Sequence, residues 1–179
     1  MSVRDGLLAV LSLGPAYGLQ LHAEFTSRAP HRAALNVGQV YSTLDRAMKT
    51  GLVESAGTTA DGLPLFRLTT NGELRADTWM SAPADQIPSW DEMLDQIVIT
   101  ATITPRKVLG LAQGYRQAWY ASQKPGTGAT ALSTRLLSSA AIEWLASVDH
   151  QLAAQDPIPL STVRPRRGRR PLTPTQPTE

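Results

Sequence analysis

The sequence contains no cysteine, and this absence excludes a disulfide framework, a thiol nucleophile and a thiolate metal site. It also lacks an apolar run of roughly 20 residues, the length that a membrane-spanning helix needs. Residues Met1–Asp5 lack the hydrophobic region of a signal peptide. We therefore expect a cytoplasmic protein, whose 179 residues allow one full domain or two small ones.

The chain has little net charge, and that charge is unevenly placed. The formal net charge is +2, with a net of 0 over residues 1–80, −1 over 81–155 and +3 over 156–179. The basic isoelectric point, about 9.2, therefore comes from the C-terminal end. It says little about what the rest of the chain does.

The C-terminal end is poor in aliphatic residues. Six prolines lie after Gln155, and almost no aliphatic side chain follows Val163. Such a segment cannot bury enough apolar surface to offset its ordering entropy, so we predict a disordered, basic, proline-rich tail over 156–179. Within it, Arg164–Pro171 resembles an AT-hook, which binds an A·T minor groove, although it has an extra arginine on each side. The alternative is a solvated basic tail with non-specific affinity for DNA.

Hydrophobic periodicity and capping residues predict three helices in the first 51 residues. The first helix opens on a capping-box pattern, Ser2 and Asp5, and the second runs from about Ala16 to Ser27. Asn36 and Gln39 cap the third helix. The inner face of the third helix is predicted to consist of Val40, Leu44, Ala47 and Met48.

A hairpin and a fourth helix follow. Residues 52–56 and 63–68 read as strands around a turn at Asp61 and Gly62, and Pro64 should place its strand at an edge there. Thr69 or Thr70 caps a helix that ends at Trp79. Three helices followed by a two-stranded wing is the order of a winged helix-turn-helix, although these elements can also pack in other ways. We assign residues 1–80 to this domain.

Beyond a linker at 81–88, we predict an all-helical domain over residues 89–155. With the winged helix-turn-helix before it, the predicted fold class of the chain is mainly α. Ser89 caps one helix, and Thr104 with Pro105 opens another that ends near Ser122. A helix over about 129–154 would be about 39 Å long, too long for a domain of this size to cover. It carries apolar residues at every fourth position, and an exposed apolar stripe predicts a partner, most simply a second copy of the chain.

Five short segments in order resemble the PadR-type transcriptional regulators, in the longer form with a helical C-terminal domain. Together they span about 3–79, and residues 84–152 match more loosely. The segments are Gly6–Leu11, Gly14–Gly18 with Pro15 and Tyr17, Asn36–Arg46, Gly51–Val53 and Arg67–Gly72. The resemblance implies a homodimeric DNA-binding repressor, released from a pseudo-palindromic operator by a small molecule, in the bacterial cytoplasm or on the nucleoid. One departure is the wing loop Gly57–Gly62, which has no lysine or arginine where family members often have some.

The predicted DNA-binding residues lie mainly on the outward face of the third helix, because recognition helices enter the major groove with their N-terminal residues at base edges. Gln39 can bond adenine, Arg46 and Lys49 suit phosphates or guanine, and Tyr41 suits a phosphate or packs on the second helix. The full set is Tyr17, Gly38, Gln39, Tyr41, Ser42, Thr43, Arg46, Lys49 and Arg67. The alternative is an ordinary solvated helix face, which is equally polar.

All four tryptophans lie at or after the end of the predicted winged domain. We predict that a small aromatic or phenolic effector binds near Trp90, Tyr115, Trp119 and Trp144. The alternative for each of these residues is a place in the core or in a dimer interface.

No pattern of catalytic residues emerges. The three histidines (22, 31 and 150) are scattered, and there is no glycine-rich phosphate loop. Asp91, Glu92 and Asp95 lie near a helix N-terminus, where the helix dipole favours carboxylates without catalysis. We predict no enzymatic activity, no metal and no cofactor. The alternative to a DNA-binding regulator is a winged-helix protein-interaction module that has lost DNA binding.

Overall fold

The structure is a computed structural model that describes residues 3–83, 88–123 and 126–165. The chain is mainly helical with one small antiparallel sheet, and this confirms the predicted fold class. The α-helices are α1 (Val3–Leu11), α2 (Gly18–Arg28), α3 (Val37–Lys49), α4 (Thr70–Trp79), α5 (Trp90–Ile103), α6 (Val108–Ser122) and α7 (Ala129–Ala153). The strands are β1 (Ala16–Tyr17), β2 (Val53–Thr58) and β3 (Pro64–Leu68), and short 3-10 helices cover Pro30–Arg32 and Pro105–Lys107.

The sheet has a third strand that the sequence did not reveal. Ala16 and Tyr17, predicted as the start of the second helix, instead pair with Phe66 and Leu65, so that β3 lies between β1 and β2. β3 is therefore the central strand, but Pro64 pairs only with Thr58 of β2, so the described strands leave an edge at Pro64, as predicted. The proline is tolerated there because it begins β3, one residue before the first partner in β1.

The start of α3 is as predicted, but its buried face is rotated. Asn36 Oδ1 accepts a hydrogen bond from the Gln39 backbone N–H at 2.9 Å, and Gln39 Oε1 accepts from the Asn36 N–H at 3.1 Å. Met48, predicted to face inward, is 40% exposed. Thr43, predicted to face outward, is 8% exposed. The buried residues are Val40, Thr43, Leu44 and Ala47, at the i, i+3, i+4 and i+7 spacing of one helix face.

Helix α5 belongs to two hydrophobic cores. Its Ile99 and Ile103 pack into the core of the winged helix, whereas Met93 and Ile97 pack with α6 and α7. The predicted domains 1–80 and 89–155 therefore meet along one shared helix. Because both cores use this helix, a movement of α5 relative to either group of helices disturbs buried contacts.

A buried carboxylate joins α5 to the winged helix. The Asp95 side chain is fully buried and accepts hydrogen bonds from Arg32 Nη2 at 2.8 Å and from Arg32 Nε at 3.0 Å. His31 Nε2 lies 2.6 Å from the same carboxylate. Asp95 was explained from the sequence by the helix dipole alone, but its main contacts are with the 3-10 helix that precedes α3.

Residues 157–165, which we call the strap, return from the end of α7 to the winged helix. We predicted disorder from residue 156, whereas the strap is held by backbone hydrogen bonds to a buried ion pair. Arg28 Nη2 donates to the carbonyl oxygens of Ile158 and Pro159, each at 3.1 Å, and Glu24 Oε1 accepts from the Ser161 N–H at 2.6 Å. Buried charges need such partners, and composition does not reveal them.

Three features predicted from the sequence lie outside the described residues. They are the Ser2 cap of α1, residues 84–87 of the linker, and residues 166–179 of the predicted tail, which include most of the AT-hook-like segment. Among the residues that the structure describes, no helix combines the length and apolar character needed to cross a bilayer.

A second buried carboxylate, Asp5, predicts how stability depends on pH. Burial of the Asp5 carboxyl favours a higher pKa, but hydrogen bonds from Arg75 and Arg4 outweigh burial and lower the pKa below its ordinary 3.8. A carboxyl with a lowered pKa in the folded state stabilises the fold above pH 3.8, and this stabilisation is lost as the pH falls through the folded-state pKa.

We therefore expect Asp5→Asn to lower the free energy of unfolding by about 1–2 kcal/mol at neutral pH, with the difference from wild type shrinking below about pH 4. Urea titrations at several pH values measure both effects. Asp77→Asn is the control, because Asp77 is exposed on α4 and should cost less than about 0.5 kcal/mol. A deficit that stays constant down to the lowest pH would contradict the assignment.

Candidate nucleic-acid interface

Helix α3 presents a polar face to solvent along its whole length. The face begins at the capped N-terminus, where Gly38 and Gln39 are exposed, and continues through Ser42 and Arg46 to Lys49. Val40 and Leu44 on the opposite side fix the helix against the core. The part of the helix that would enter a major groove is thus both rigidly seated and accessible.

Two side chains in the middle of this face make local contacts among the residues that the structure describes. Arg46 Nε donates to the Ser42 carbonyl at 3.2 Å, and the Ser42 hydroxyl donates to the Gln39 carbonyl at 3.0 Å. These contacts are exposed and within one helix turn, so the side chains can exchange them for contacts with bases. The Gln39 amide oxygen already accepts the Asn36 N–H, which leaves its NH₂ group as the freer half.

Thr43 is turned towards the core, contrary to the outward position predicted from the sequence. Its side chain is buried, and its hydroxyl lies 3.5 Å from Arg46 Nη2. A base contact by Thr43 stays a prediction, and its hydroxyl lies within reach of the Arg46 side chain. Gly38 is exposed, and a Cβ there would approach only Asn36 Oδ1, at 3.2 Å, so no packing within the chain demands glycine at this position.

The other basic candidates, Lys49 and Arg67, each form an ion pair with a nearby carboxylate. Lys49 Nζ lies 2.8 Å from Asp45 Oδ2, one turn away on the same exposed face. Arg67 Nε lies 2.8 Å from Glu54 Oε1 across the wing. All four side chains are well exposed, so these pairs contribute little to stability. Each carboxylate would nevertheless repel a DNA phosphate that approached the basic residue paired with it. The sequence analysis did not consider either carboxylate.

The two predicted tyrosines lie near the place where α2 and α3 approach each other. Tyr17 precedes the first residue of α2, Gly18, and a Cβ at Gly18 would come 2.6 Å from the Tyr41 ring. The close approach of α2 and α3 at this point therefore requires glycine. Tyr41 is 38% exposed, so both predicted roles, packing on α2 and reaching a phosphate, are compatible with its position.

An open cavity of about 480 Å³ lies beside this face, between α3 and the N-terminal turn of α1. Its lining joins Val3, Arg4 and Leu35 to the polar side chains of α3. Arg4 thereby enters the neighbourhood of the interface, although its sequence position gave no reason to place it there.

The predicted effector residues fall into two groups. Tyr115 and Trp119 are buried in the core around α6, where Tyr115 donates to Gln96 and the Trp119 indole N–H lies 3.1 Å from Met93 Sδ. Trp90 and Trp144 are half-buried, with ring centroids 5.8 Å apart and planes at 58°. Only the second pair offers accessible aromatic surface without rearrangement of the core.

Comparison with known proteins finds a family match in the N-terminal part of the chain. The family model of the transcriptional regulator PadR-like family matches residues 7–77, which confirms the resemblance drawn from the sequence. No curated protein matches the chain in sequence. A crystal structure of Bacillus subtilis PadR in complex with operator DNA is similar, with 16% sequence identity and a TM-score of 0.41, over 84% of this chain and 95% of that chain.

Proposed function

Because residues 7–77 form a winged helix of the PadR-like family of transcriptional regulators, we propose that the chain binds double-stranded DNA in a sequence-specific manner and represses transcription as a homodimer. The observation that carries this proposal is the exposed polar face of α3, capped at Asn36 and fixed by its buried opposite face. Two such helices would enter successive major-groove segments about 34–36 Å apart, on a pseudo-palindromic operator.

A mobility-shift assay with the upstream region of its own gene tests DNA binding. We expect a discrete shifted complex that unlabelled mixed-sequence DNA does not readily displace. Absence of a shift at low salt, for this region and for neighbouring promoters, would favour the alternative of a protein-interaction module. Repression is tested separately with a reporter gene placed under a promoter that shifts in this assay. Expression of the reporter should rise when the gene that encodes this protein is deleted.

The N-terminal half of α7 supports the homodimer. None of the first nine residues of α7 is buried. Buried residues begin at Ser138, and from there the helix packs against α5 and α6. Three leucines on this half are exposed, Leu132, Leu136 and Leu137. The same patch on a second copy is self-complementary about a two-fold axis, so a homodimer can bury it without any other protein.

Charge placed in this patch should separate the dimer. We expect Leu132→Lys with Leu136→Lys to give a monomer in sedimentation velocity, because the four lysines of a dimer would have to be desolvated beside each other. Operator affinity should fall with the loss of the second half-site. Leu74→Lys is the matched control, since Leu74 is 68% exposed on α4 and Leu136 is 62% exposed. A double variant that sediments as the wild-type dimer would exclude this face as the interface.

For effector release, we propose that an aromatic ligand stacks on Trp90 and Trp144, with Tyr115 and Trp119 beneath them in the same core. The ligand must bind the DNA-free arrangement of the dimer more tightly than the DNA-bound one. Tryptophan fluorescence with a panel of aromatic natural products, with and without operator DNA, tests both requirements. Ligands that quench fluorescence but leave DNA affinity unchanged would contradict the allosteric role.

A further inference from the structure

Arg4 lies at the edge of the exposed face of α3, although it belongs to a different helix. It stands in the first turn of α1, and its side chain is 38% exposed. It lines the open cavity of about 480 Å³ together with Gln39, Arg46 and Lys49 of α3. A basic side chain from α1 therefore borders the surface where the proposed function places DNA.

The exposed face of α3 has two sides, and Arg4 lies beside one of them. The residues of α3 that line the cavity on this side are Gln39, Ser42, Thr43, Arg46, Lys49 and Thr50. At about 3.6 residues per turn, Tyr41 points roughly 140° away from Arg46, and its ring lies against Gly18 at the start of α2. A helix in a major groove has a phosphate backbone on each side. Arg4 and Tyr41 are thus placed to face opposite backbones.

The carboxylate that pairs with Arg4 has a second and closer arginine. Asp5 accepts hydrogen bonds from Arg75 Nη2 at 2.7 Å and Nε at 3.0 Å, and from Arg4 Nε at 3.1 Å and Nη2 at 3.2 Å. Arg75 also interacts with Glu92, which holds it on the side of α5. If Arg4 moves to a phosphate, the buried Asp5 carboxylate keeps a bidentate partner and is not left unpaired.

Three other basic side chains around the candidate interface each pair with a separate carboxylate. The pairs are Lys49 with Asp45, Arg67 with Glu54, and Arg164 of the strap with Asp61 in the turn of the wing. When one of these cations moves to a phosphate, its carboxylate loses that partner while it lies near DNA. Arg4 leaves Asp5 in contact with Arg75, so the charge of Arg4 is more available for a phosphate.

We propose that Arg4 binds a DNA phosphate beside the half-site read by α3, on the opposite side of that helix from Tyr41. The guanidinium matches the geometry of a phosphate, which it can bind through two parallel hydrogen bonds. Arg75 is a positioning residue for this contact, because it holds Asp5 when Arg4 turns to DNA. This inference rests on the proposed function, since it assumes that α3 faces DNA.

The first test is the salt dependence of DNA binding by Arg4→Gln, measured with a mixed-sequence duplex and with the chain's own upstream region. Each phosphate neutralised by an arginine adds about 0.9 to the slope of log affinity against log salt. We therefore expect the slope to flatten by about 1.8 per dimer on both duplexes. Arg106→Gln is the matched control, since it removes the same charge from an exposed position in the 3-10 helix Pro105–Lys107 and should keep the wild-type slope. An unchanged slope for Arg4→Gln would overturn the proposal.

The second test separates a phosphate contact from support of α1. Asp5→Asn weakens the fold but frees Arg4 from its carboxylate, so its salt slope should be at least as steep as that of the wild type. Arg4→Lys keeps the charge and should retain most of the slope. Circular dichroism fixes a temperature at which all variants are folded. A flatter slope for Asp5→Asn, or a slope for Arg4→Lys as flat as that of Arg4→Gln, would overturn the proposal.

Ethylation interference then locates the phosphate. For the wild type we expect a phosphate at the edge of each half-site whose ethylation weakens binding several-fold. The same ethylation should have no effect on binding by Arg4→Gln, because the contact is already lost. An identical interference pattern for the two proteins would contradict a contact by Arg4.

The outcomes also distinguish this inference from the proposed function. A wild-type chain that binds no DNA at low salt would refute both. A wild-type chain that shifts the operator, with Arg4→Gln matching it in affinity and slope, would refute only the role of Arg4.

Discussion

Arg46→Ala is expected to abolish specific operator binding while leaving the fold intact. A good side-chain contact to a base edge contributes about 1–3 kcal/mol of discrimination, and a homodimer loses the contact in both half-sites, so the total is about 2–6 kcal/mol. The fold should tolerate the change because the described side-chain contacts of Arg46 are with the Ser42 carbonyl and the Thr43 hydroxyl, both within one turn of the same helix. Fluorescence anisotropy with operator and with mixed-sequence DNA measures both affinities.

Lys49→Ala is the matched control for this prediction. Lys49 lies on the same face but at the C-terminal end of α3, where it is paired with Asp45. Its removal should weaken operator and mixed-sequence DNA to a similar, smaller extent, as expected for a phosphate contact. If Arg46→Ala retained wild-type preference for the operator, α3 would not read bases through this residue.

Gln39 needs a different substitution because it also caps the helix. Gln39→Glu keeps an oxygen that can accept the Asn36 N–H, but it replaces the NH₂ donor with negative charge at the proposed DNA surface. Thermal stability should then be preserved while operator affinity falls. Equal losses of both would mean that the residue acts only as a cap.

The largest expected effect on stability is that of Asp95→Asn. Breaking a buried ion pair usually costs about 3–5 kcal/mol, because the remaining charge stays buried without its partner. Here the Arg32 side chain is 28% exposed and can partly rehydrate, so we expect a loss of about 2–4 kcal/mol in the free energy of unfolding. Urea denaturation followed by circular dichroism measures it.

Asp91→Asn is an internal control for that loss. Asp91 lies one turn earlier on α5 and 3.9 Å from the same Arg32 nitrogen, but its side chain is 71% exposed. An exposed pair of this kind contributes less than about 1 kcal/mol. Similar losses for the two variants would show that burial of Asp95 is not what makes its contacts strong.

The order of elements could be read from the sequence because local signals carry it. The Asn36 and Gln39 cap, the Asp61 and Gly62 turn and the Thr69 cap each depend on residues within a few positions of each other. Such signals are set by backbone hydrogen bonding and by the conformational freedom of glycine. They led to the winged helix, and the family match at residues 7–77 agrees with it.

The features that were mispredicted depend on contacts between distant residues. Hydrophobicity placed Met48 inward and Thr43 outward on α3, but the buried face is decided by where α1 and α2 lie. The two residues of β1 have no sequence pattern of their own and form a strand only because β3 is available to pair with them. The strap likewise depends on Glu24 and Arg28, which sequence composition cannot connect to residues after 156.

The position of the candidate site was predicted from the sequence, but the pairing of its charged side chains was not. Gln39, Ser42 and Arg46 are exposed on one face, as expected from helical spacing. Their acidic neighbour Asp45 shares that face, and its pairing with Lys49 follows from the i, i+4 spacing that was available in the sequence. The place of Arg164 at the wing could not be foreseen, because it depends on the course of the strap.

The strap also has a consequence for the order in which the protein matures. Arg28 and Ile158, which it joins, are 130 residues apart, so their contact forms only after the strap itself has been synthesised. Closing so long a loop is entropically costly and slow compared with forming local helices and a hairpin. We therefore expect the winged helix to gain much of its shape on the ribosome, and the strap to dock as a late folding event.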